Sequence, residues 1–143
     1  MATAENFVGR SYGPSKYEVG LEKVREYASA TKNDHPWHHD EEAGAEIGGV
    51  IAPPMFIVIP SFKPVIDAVM DPELEINLTK LVHGEQQFDF HQPIRAGAQL
   101  FTTGTVESVR DKGPMYFVKI RTETEDAEGA AVATGLWNLV IRH

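Results

Sequence analysis

The chain has 143 residues, and we expect one domain over residues 1–143, because this length is enough to bury a core. Its formal net charge of −8 argues against a nucleic-acid partner, since phosphate contacts need clustered lysine and arginine. The lack of cysteine excludes disulfides, thiolate metal sites and a cysteine nucleophile. It also fits the reducing cytoplasm, where we expect the protein to reside.

The start of the chain, MATAENFVGRSYG, lacks the basic and then apolar pattern of a secretory signal. We expect residues 1–14 to be a loose lead-in that ends in a turn at the sequence YGP. The longest apolar stretch, residues 50–60, is far shorter than the roughly 20 residues of a membrane span. We therefore expect no membrane partner.

Two elements are predicted before the middle of the chain. The alternation in KYEV, residues 16–19, predicts a short strand. From Leu21 the apolar residues recur at helical spacing, which predicts a helix that ends before Pro36. Residues 32–54 form a long irregular segment, and loops of this length inside compact domains are usually functional or mobile.

Residues 55–70 are apolar around the whole circumference, as in a helix that is buried on every side. Pro60 interrupts the pattern, because proline has no N–H and clashes with the preceding turn. We predict a kinked central helix. A strand over 55–59 followed by a helix from Pro60 is the alternative.

The chain after Pro72 is predicted to be sheet. In LVHGEQQFDFHQPI, alternation puts Val82, Phe88 and Phe90 on one face. His83 and His91 share the other face, which we expect to be a solvent face or a polar seam at a subunit contact.

Three longer stretches follow, separated by glycine-containing turns at 111–114 and 126–129, and they predict an antiparallel meander. The fold class is therefore α+β, with one central helix wrapped by a curved antiparallel sheet.

Several motifs, in this order and spacing, resemble the MaoC-like hydratase/dehydratase family. KNDHPWHHDEEAGAEIGGVIAPPMF, residues 32–56, is similar to the family loop Gly-Asp-x-Asn-Pro-x-His and the helix and glycine-rich approach that follow it. FDFHQPIRAG is similar to the family stretch Phe-x-x-Pro-x-x-x-Gly. With IAPPMF, these stretches lean towards the N-terminal-type MaoC dehydratases, which include HadA- and HadC-like subunits of the (3R)-hydroxyacyl carrier-protein dehydratases. The resemblance covers about residues 8–142 and implies the hot-dog fold.

The resemblance also assigns candidate catalytic residues. With Pro36 as the anchor, the family's catalytic histidine falls on His38 and its catalytic aspartate on Asn33, which cannot act as a carboxylate. Asp34 and His39 keep the family's five-residue separation. The candidates are therefore His38 or His39 as the acid–base group, with Asp34 as the carboxylate.

The implied activity is that of an (R)-specific hydratase/dehydratase of fatty-acid metabolism, which acts on (3R)-hydroxyacyl or trans-2-enoyl thioesters of coenzyme A or acyl carrier protein. A histidine suits the proton transfer because its unperturbed pKa, about 6.5, is close to working pH. The N–H groups at the start of the central helix would stabilise charge on the thioester oxygen. No metal or organic cofactor is required. The substrate-binding candidates are Asn33, Gly49, Pro54 and Met55.

The main alternative is a non-catalytic subunit that shapes the substrate tunnel for a catalytic MaoC-type partner. HadA- and HadC-like subunits act in this way, and Asn33 supports this interpretation. In this fold the acyl pocket forms where two protomers meet, so we expect a homodimer or a heterodimer with another MaoC-type subunit. Lys63, Lys80 and Arg95 are the basic residues considered for docking an acidic carrier protein.

Other interpretations of the histidine-rich loop also stay open. His35, His38 and His39 could be polar loop residues, or could bind zinc with Asp40, although their spacing matches no usual zinc motif. Trp37 is expected to anchor the loop. Asp40, Glu41 and Glu42 are typical of the first turn of a helix. A fatty-acyl-binding or thioesterase-like hot-dog protein is a further possibility.

Overall fold

A helix lies against one face of a five-stranded antiparallel sheet in the computed structural model, which describes residues 6–143. In chain order the elements are β1 (Ser11–Glu18), α1 (Leu21–Ala30), α2 (Glu41–Ala45), α3 (Val58–Val69), β2 (Leu81–Phe90), β3 (Gln99–Lys112), β4 (Met115–Glu125) and β5 (Ala131–Arg142). Short 3-10 turns lie at Pro36–His38, Pro54–Ile57, Pro72–Leu74 and Leu78–Lys80. Among these residues, no helix is long and apolar enough to cross a membrane.

The strand order is β1-β3-β4-β5-β2, and every pair is antiparallel. The predicted meander is confirmed, since β3, β4 and β5 are neighbours both in the chain and in the sheet. The two turns between them contain Gly113 (φ 73°) and Gly129 (φ 82°), in the left-handed region that favours glycine. β1 and β2 occupy the two edges.

The predicted central helix is also confirmed. It begins as the 3-10 turn Pro54–Ile57 and continues as α3, which packs on β1, β3 and β4. Pro60 lies in the first turn of α3, where the helix changes from 3-10 to α geometry, and proline is tolerated in the first turn of an α-helix. The alternative strand over 55–59 does not form. At Gly104 of β3 a Cβ would lie 2.9 Å from Cβ of Pro64, so this glycine lets the helix approach the sheet closely.

The first strand is longer than the sequence suggested. β1 begins at Ser11, and the residues YGP form a register shift within the strand instead of a turn before it. The expected turn at 12–14 is therefore wrong. Gly9 already donates a 2.7 Å hydrogen bond to the carbonyl of Val106. Residues 1–5 of the expected lead-in lie outside the described residues.

The predicted assignment of β2 side chains to the two faces of the sheet is wrong for the first residues of the strand. A register shift at Gly84 separates the pair His83–Leu139 from the pair Glu85–Asn138. This bulge adds one residue to the strand and so reverses the alternation. The His83 ring therefore stacks on Trp137, with the ring centres 5.5 Å apart, while Val82 is 59% exposed.

His91 does not share a face with His83. Its Nε2 atom lies 3.1 Å from Oγ1 of Thr134, which stands three residues before Trp137 in β5. Two residues three positions apart in a strand face opposite sides of the sheet. The expected polar seam that joins the two histidines is therefore wrong.

The long irregular segment contains local structure. The Asp40 side chain accepts a 2.9 Å hydrogen bond from the Glu42 N–H and caps α2. This confirms the predicted first helical turn at residues 40–42. Two apolar clusters fill the space between the helices and the sheet, one around Trp137 and one around Phe56.

Candidate functional site

A groove of about 370 Å³ opens beside the start of the central helix. Three segments meet there: the 36–38 turn, residues 51–54 and the chain that leaves β2. Most of the lining side chains are apolar, and the residues used below are His38, Ile51, Pro54, Phe90, His91 and Ile94. A mostly apolar groove with a few polar groups is typical of a small-molecule site.

Backbone hydrogen bonds hold these segments together. The Ile51 N–H donates to the Trp37 carbonyl at 3.0 Å, and the Ala52 N–H donates to the Ile94 carbonyl at 2.8 Å. Ile51 also forms an isolated antiparallel bridge with Arg95. The segment before the central helix is therefore fixed between the histidine loop and the turn that follows β2.

His38 is half-buried, and its ring is oriented by the backbone. Its Nδ1 atom lies 2.7 Å from the carbonyl oxygen of Ile51. A carbonyl only accepts hydrogen bonds, so this contact assigns the proton to Nδ1 when the imidazole is neutral. The Nε2 atom is then the basic nitrogen of His38.

His39 is engaged with its own loop and does not line the groove. Its Nε2 atom lies 2.7 Å from the Asn33 carbonyl oxygen, and its own carbonyl accepts a 2.9 Å hydrogen bond from Nε of Arg25. These contacts tie the loop to α1. Of the two candidate acid–base residues, the structure thus places His38 at the groove and His39 outside it.

Among the residues that the structure describes, no carboxylate lines the groove with His38. Asp34 is exposed and makes no hydrogen bond or ion pair with residues 6–143. The Asn33 side chain donates a 2.8 Å hydrogen bond to Oγ1 of Thr31, at the end of α1. Within the described part of the chain, the groove therefore contains His38 without an accompanying carboxylate.

The remaining loop aromatics have local contacts. His35 accepts a hydrogen bond from the Trp37 N–H at Nδ1, 3.1 Å away, and so caps the 36–38 turn. The two rings lie 4.7 Å apart, and Trp37 is 39% exposed. Within the part of the chain that the structure describes, no three histidine, aspartate or glutamate side chains converge as metal ligands would.

The start of the central helix offers one free backbone donor near the groove. Pro53 and Pro54 have no N–H, so Met55 is the first residue there that has one. Among the described residues this N–H has no acceptor, and Pro54 itself lines the groove. The Met55 side chain is 46% exposed. The structure thus brings His38 and Pro54 together, with the Met55 N–H next in the chain.

Gly49 lies in a different place. It borders a second groove of about 750 Å³ between the end of β1, α2 and residues 96–97. Its carbonyl accepts a 3.3 Å hydrogen bond from Nη1 of Arg95. Of the four substrate-binding candidates, only Pro54 lines the groove that contains His38.

His91 and Phe90 are groove residues that were not predicted from the sequence. Strand alternation predicted His91 on a face of β2, whereas the chain leaves β2 at this point and passes beside His38. Phe90 is 47% exposed at the groove. The signal in the sequence that could have identified them is the Phe-x-x-Pro-x-x-x-Gly stretch, which contains both residues.

The chain is similar to a known dehydratase domain family and to proteins of the UPF0336 family over nearly its whole length. Residues 6–135 match the model of the FAS1-like dehydratase domain region. A UPF0336 protein of Streptomyces avermitilis is 41% identical over 145 residues, which covers 99% of this chain and 97% of that protein. A UPF0336 protein of Mycobacterium tuberculosis is 34% identical and covers 93% of this chain and 82% of that protein.

Solved structures show the same similarity. The C-terminally truncated HadBC (3R-hydroxyacyl-ACP dehydratase) complex from Mycobacterium tuberculosis superposes with a TM-score of 0.82 at 28% identity, over 94% of this chain and 96% of the matched chain. A MaoC-like dehydratase gives a TM-score of 0.86 at 30% identity, over 97% of this chain and 43% of that one. The chain therefore belongs to the UPF0336 family and has a FAS1-like, MaoC-like dehydratase domain of the N-terminal type with the hot-dog fold.

Proposed function

We propose that this chain is a subunit of a dehydratase that acts on (3R)-hydroxyacyl and trans-2-enoyl thioesters, and that a second MaoC-type subunit supplies the catalytic Asp/His pair. The observation that carries this proposal is the groove at His38, which no carboxylate among residues 6–143 lines. The similarity to HadBC, a dehydratase complex, supports an assembly of two different subunits.

The chemistry explains why the missing acid matters. Dehydration removes a proton from carbon 2 of the thioester and protonates the leaving hydroxyl group. A carboxylate beside the histidine would orient the imidazole and stabilise the imidazolium that forms. His38 has a backbone carbonyl at Nδ1, which orients the ring but carries no full charge. We therefore infer that this chain binds the substrate and that the partner subunit carries out the proton transfer.

The groove supplies the features that substrate binding needs. Ile51, Pro54, Phe90 and Ile94 provide apolar contacts for an acyl chain. The free N–H of Met55, next in the chain to the groove residue Pro54, would donate to the thioester carbonyl. The substrate would be a thioester of coenzyme A or of acyl carrier protein, in the cytoplasm, and the reaction needs no metal or organic cofactor.

A hydratase that works without a second type of subunit is the other candidate. The observation in its favour is the fixed orientation of His38, because a proton on Nδ1 leaves Nε2 as a base. In this case the chain would form a homodimer, and His38 would be its acid–base group.

A hydration assay separates the two candidates. The purified chain is assayed with crotonyl-CoA and with a longer enoyl-CoA, first alone and then after co-expression with a MaoC-type subunit that has an intact Asp/His pair. Activity only in the co-expressed complex supports the two-subunit dehydratase. Activity of the chain alone that is lost in His38→Ala and kept in His39→Ala would establish the second candidate. No activity in either preparation contradicts both.

A further inference from the structure

The outer face of the sheet has a cluster of positive charge that the proposed function does not use. The cluster lies where residues 108–112 of β3, 115–119 of β4 and 138–142 of β5 run side by side. Alternate residues of these segments point away from the central helix. We call their outward side chains the cationic face.

The register of the strands establishes which side chains point outward. Tyr116, Val118, Leu139 and Ile141 are 0–4% exposed and belong to the core. The residues that alternate with them must therefore face the opposite side of the sheet, away from α3. Phe117 pairs with Arg110 on one side, and these two residues belong to the cationic face.

Four cations surround the centre of this face: Arg110, Lys112, Lys119 and Arg142. Within residues 6–143, none of them forms a salt bridge. The Lys112 ammonium lies 5.0 Å from the centre of the Phe117 ring. No outward position of these three segments is occupied by aspartate or glutamate. These four cations thus form a local positive cluster on a chain with a net charge of −8.

Arg121, the cation next to this face, differs from the four because it has acidic partners. Arg121, the next outward residue of β4, lies 3.6 Å from a carboxylate oxygen of Glu107 and 3.2 Å from one of Glu123. Its charge is thus neutralised within the chain. The cationic face begins where these acidic partners end.

The centre of the cationic face is apolar. Met115, Phe117 and Val140 are half-buried and adjacent across β4 and β5. A concavity of about 120 Å³ lies between Phe117 and the cations of β3 and β4. Because strands are about 4.8 Å apart and rise about 3.3 Å per residue, the face measures roughly 10 by 13 Å. This area matches one side of a helix of about two to three turns.

We propose that the cationic face binds an acidic, amphipathic α-helix of another protein. The apolar stripe of that helix covers Met115, Phe117 and Val140. Its carboxylates flank the stripe and pair with Arg110 and Lys112 on one side and Arg142 on the other, with Lys119 at the end. This interaction surface is independent of the groove at His38 and of the proposed reaction.

Other occupants fit less well. A second copy of this chain is not favoured, because α1 has mixed charges and the single acidic residue of α3, Asp67, is already paired with Lys63. An anionic membrane is not favoured either, since the apolar residues of the face are half-buried and do not project as membrane anchors do. The acidic remainder of the chain would also be repelled by anionic lipids.

The test measures binding of a fluorescent synthetic peptide of about 18 residues, designed as a helix with one leucine stripe flanked by glutamates. The variant Arg110→Glu/Lys119→Glu reverses two cations of the face. The control Lys23→Glu/Lys32→Glu makes the same change in net charge on α1 and just beyond its end, at two exposed lysines that form no salt bridge within residues 6–143. We expect the first variant to weaken binding by at least about tenfold and the control by less than about twofold. Thermal unfolding of both variants verifies that they fold.

Peptide binding should also weaken several-fold when the salt concentration rises from about 50 to 300 mM. Equal losses in the two variants would overturn the proposal, because they would show an effect of net charge alone. An absence of measurable peptide binding to the unmodified chain would overturn it as well. Tighter binding to phosphatidylglycerol vesicles, lost in Arg110→Glu/Lys119→Glu, would replace the helical partner with a membrane surface.

Discussion

Tyr12 of β1 donates a 2.6 Å hydrogen bond to the carboxylate of Asp71, just beyond the end of α3. The same carboxylate lies 3.5 Å from Nε of Arg10 and caps the next turn by accepting a 3.0 Å hydrogen bond from the Glu73 N–H. The hydrogen bond from Tyr12 is the main reason that the pKa of Asp71 lies below its usual range. This contact joins an edge strand to the far end of the central helix.

Replacing Tyr12 with phenylalanine should lower the free energy of unfolding by about 2 kcal/mol, because it removes a hydrogen bond to a charged group that is largely shielded from water. Urea unfolding at neutral pH measures the change. Tyr17→Phe is the matched control, since Tyr17 is also half-buried in β1 but its hydroxyl makes no hydrogen bond within the described residues. Equal losses in the two variants would contradict this role of Asp71.

The pH dependence of that loss follows from the lowered pKa of Asp71. A carboxyl group with a lowered folded-state pKa contributes its full stability above its unfolded pKa, about 3.9, and loses it as pH falls towards the folded value. The difference between Tyr12→Phe and the unmodified protein should therefore shrink below about pH 4. Burial and Asp71 raise the pKa of Tyr12, so stability should also decline above about pH 10, where the unfolded tyrosine ionises. Unfolding curves measured at a series of pH values test both the acid and the alkaline prediction.

Gly135 of β5 has no room for a side chain. A Cβ there would lie 2.5 Å from Oγ1 of Thr122 and 2.7 Å from the Phe88 ring. Thr122 also accepts a 3.0 Å hydrogen bond from Nε1 of Trp137, so it cannot move freely. Gly135→Ala should destabilise the protein by about 2–3 kcal/mol through overpacking. Gly20→Ala, where the nearest atom is 3.9 Å away, should cost little in the same thermal unfolding measurement.

His38→Phe tests the proposed function in the assembled enzyme. If the chain only holds substrate, the phenylalanine fills part of the groove and kcat of the co-expressed complex should change less than about threefold. KM for a longer enoyl-CoA is expected to change more than kcat, because the groove binds substrate. A fall of about 100-fold or more in kcat would instead identify His38 as a catalytic acid–base residue.

His39→Ala should affect stability more than substrate binding. It removes the contact between Nε2 and the Asn33 carbonyl, which joins the two ends of the 33–39 loop, and the expected cost is about 1 kcal/mol. KM of the complex should stay within about twofold, because His39 lies outside the groove. A larger change in KM than that caused by His38→Phe would show that the loop rearranges on binding.

Much of the fold could be predicted because it depends on local periodicity. The apolar residues over 55–70 specified a buried helix, and Gly113 and Gly129 marked the turns of the meander. The two errors in the strands have a common cause. The register shifts in β1 and at Gly84 depend on pairing with distant strands, which a strict period of two does not encode.

The sequence by itself determined most of the helices and strands, because each has a local period of apolar residues. The order and spacing of its motifs indicated the family and the loop that provides His38. Only the tertiary structure decided which loop residues meet. His38 joins Pro54 and His91 at one groove, whereas His39 turns to the carbonyl of Asn33. The physical reason is that these contacts depend on hydrogen bonds between segments far apart in sequence, such as the one from the Ile51 N–H to Trp37.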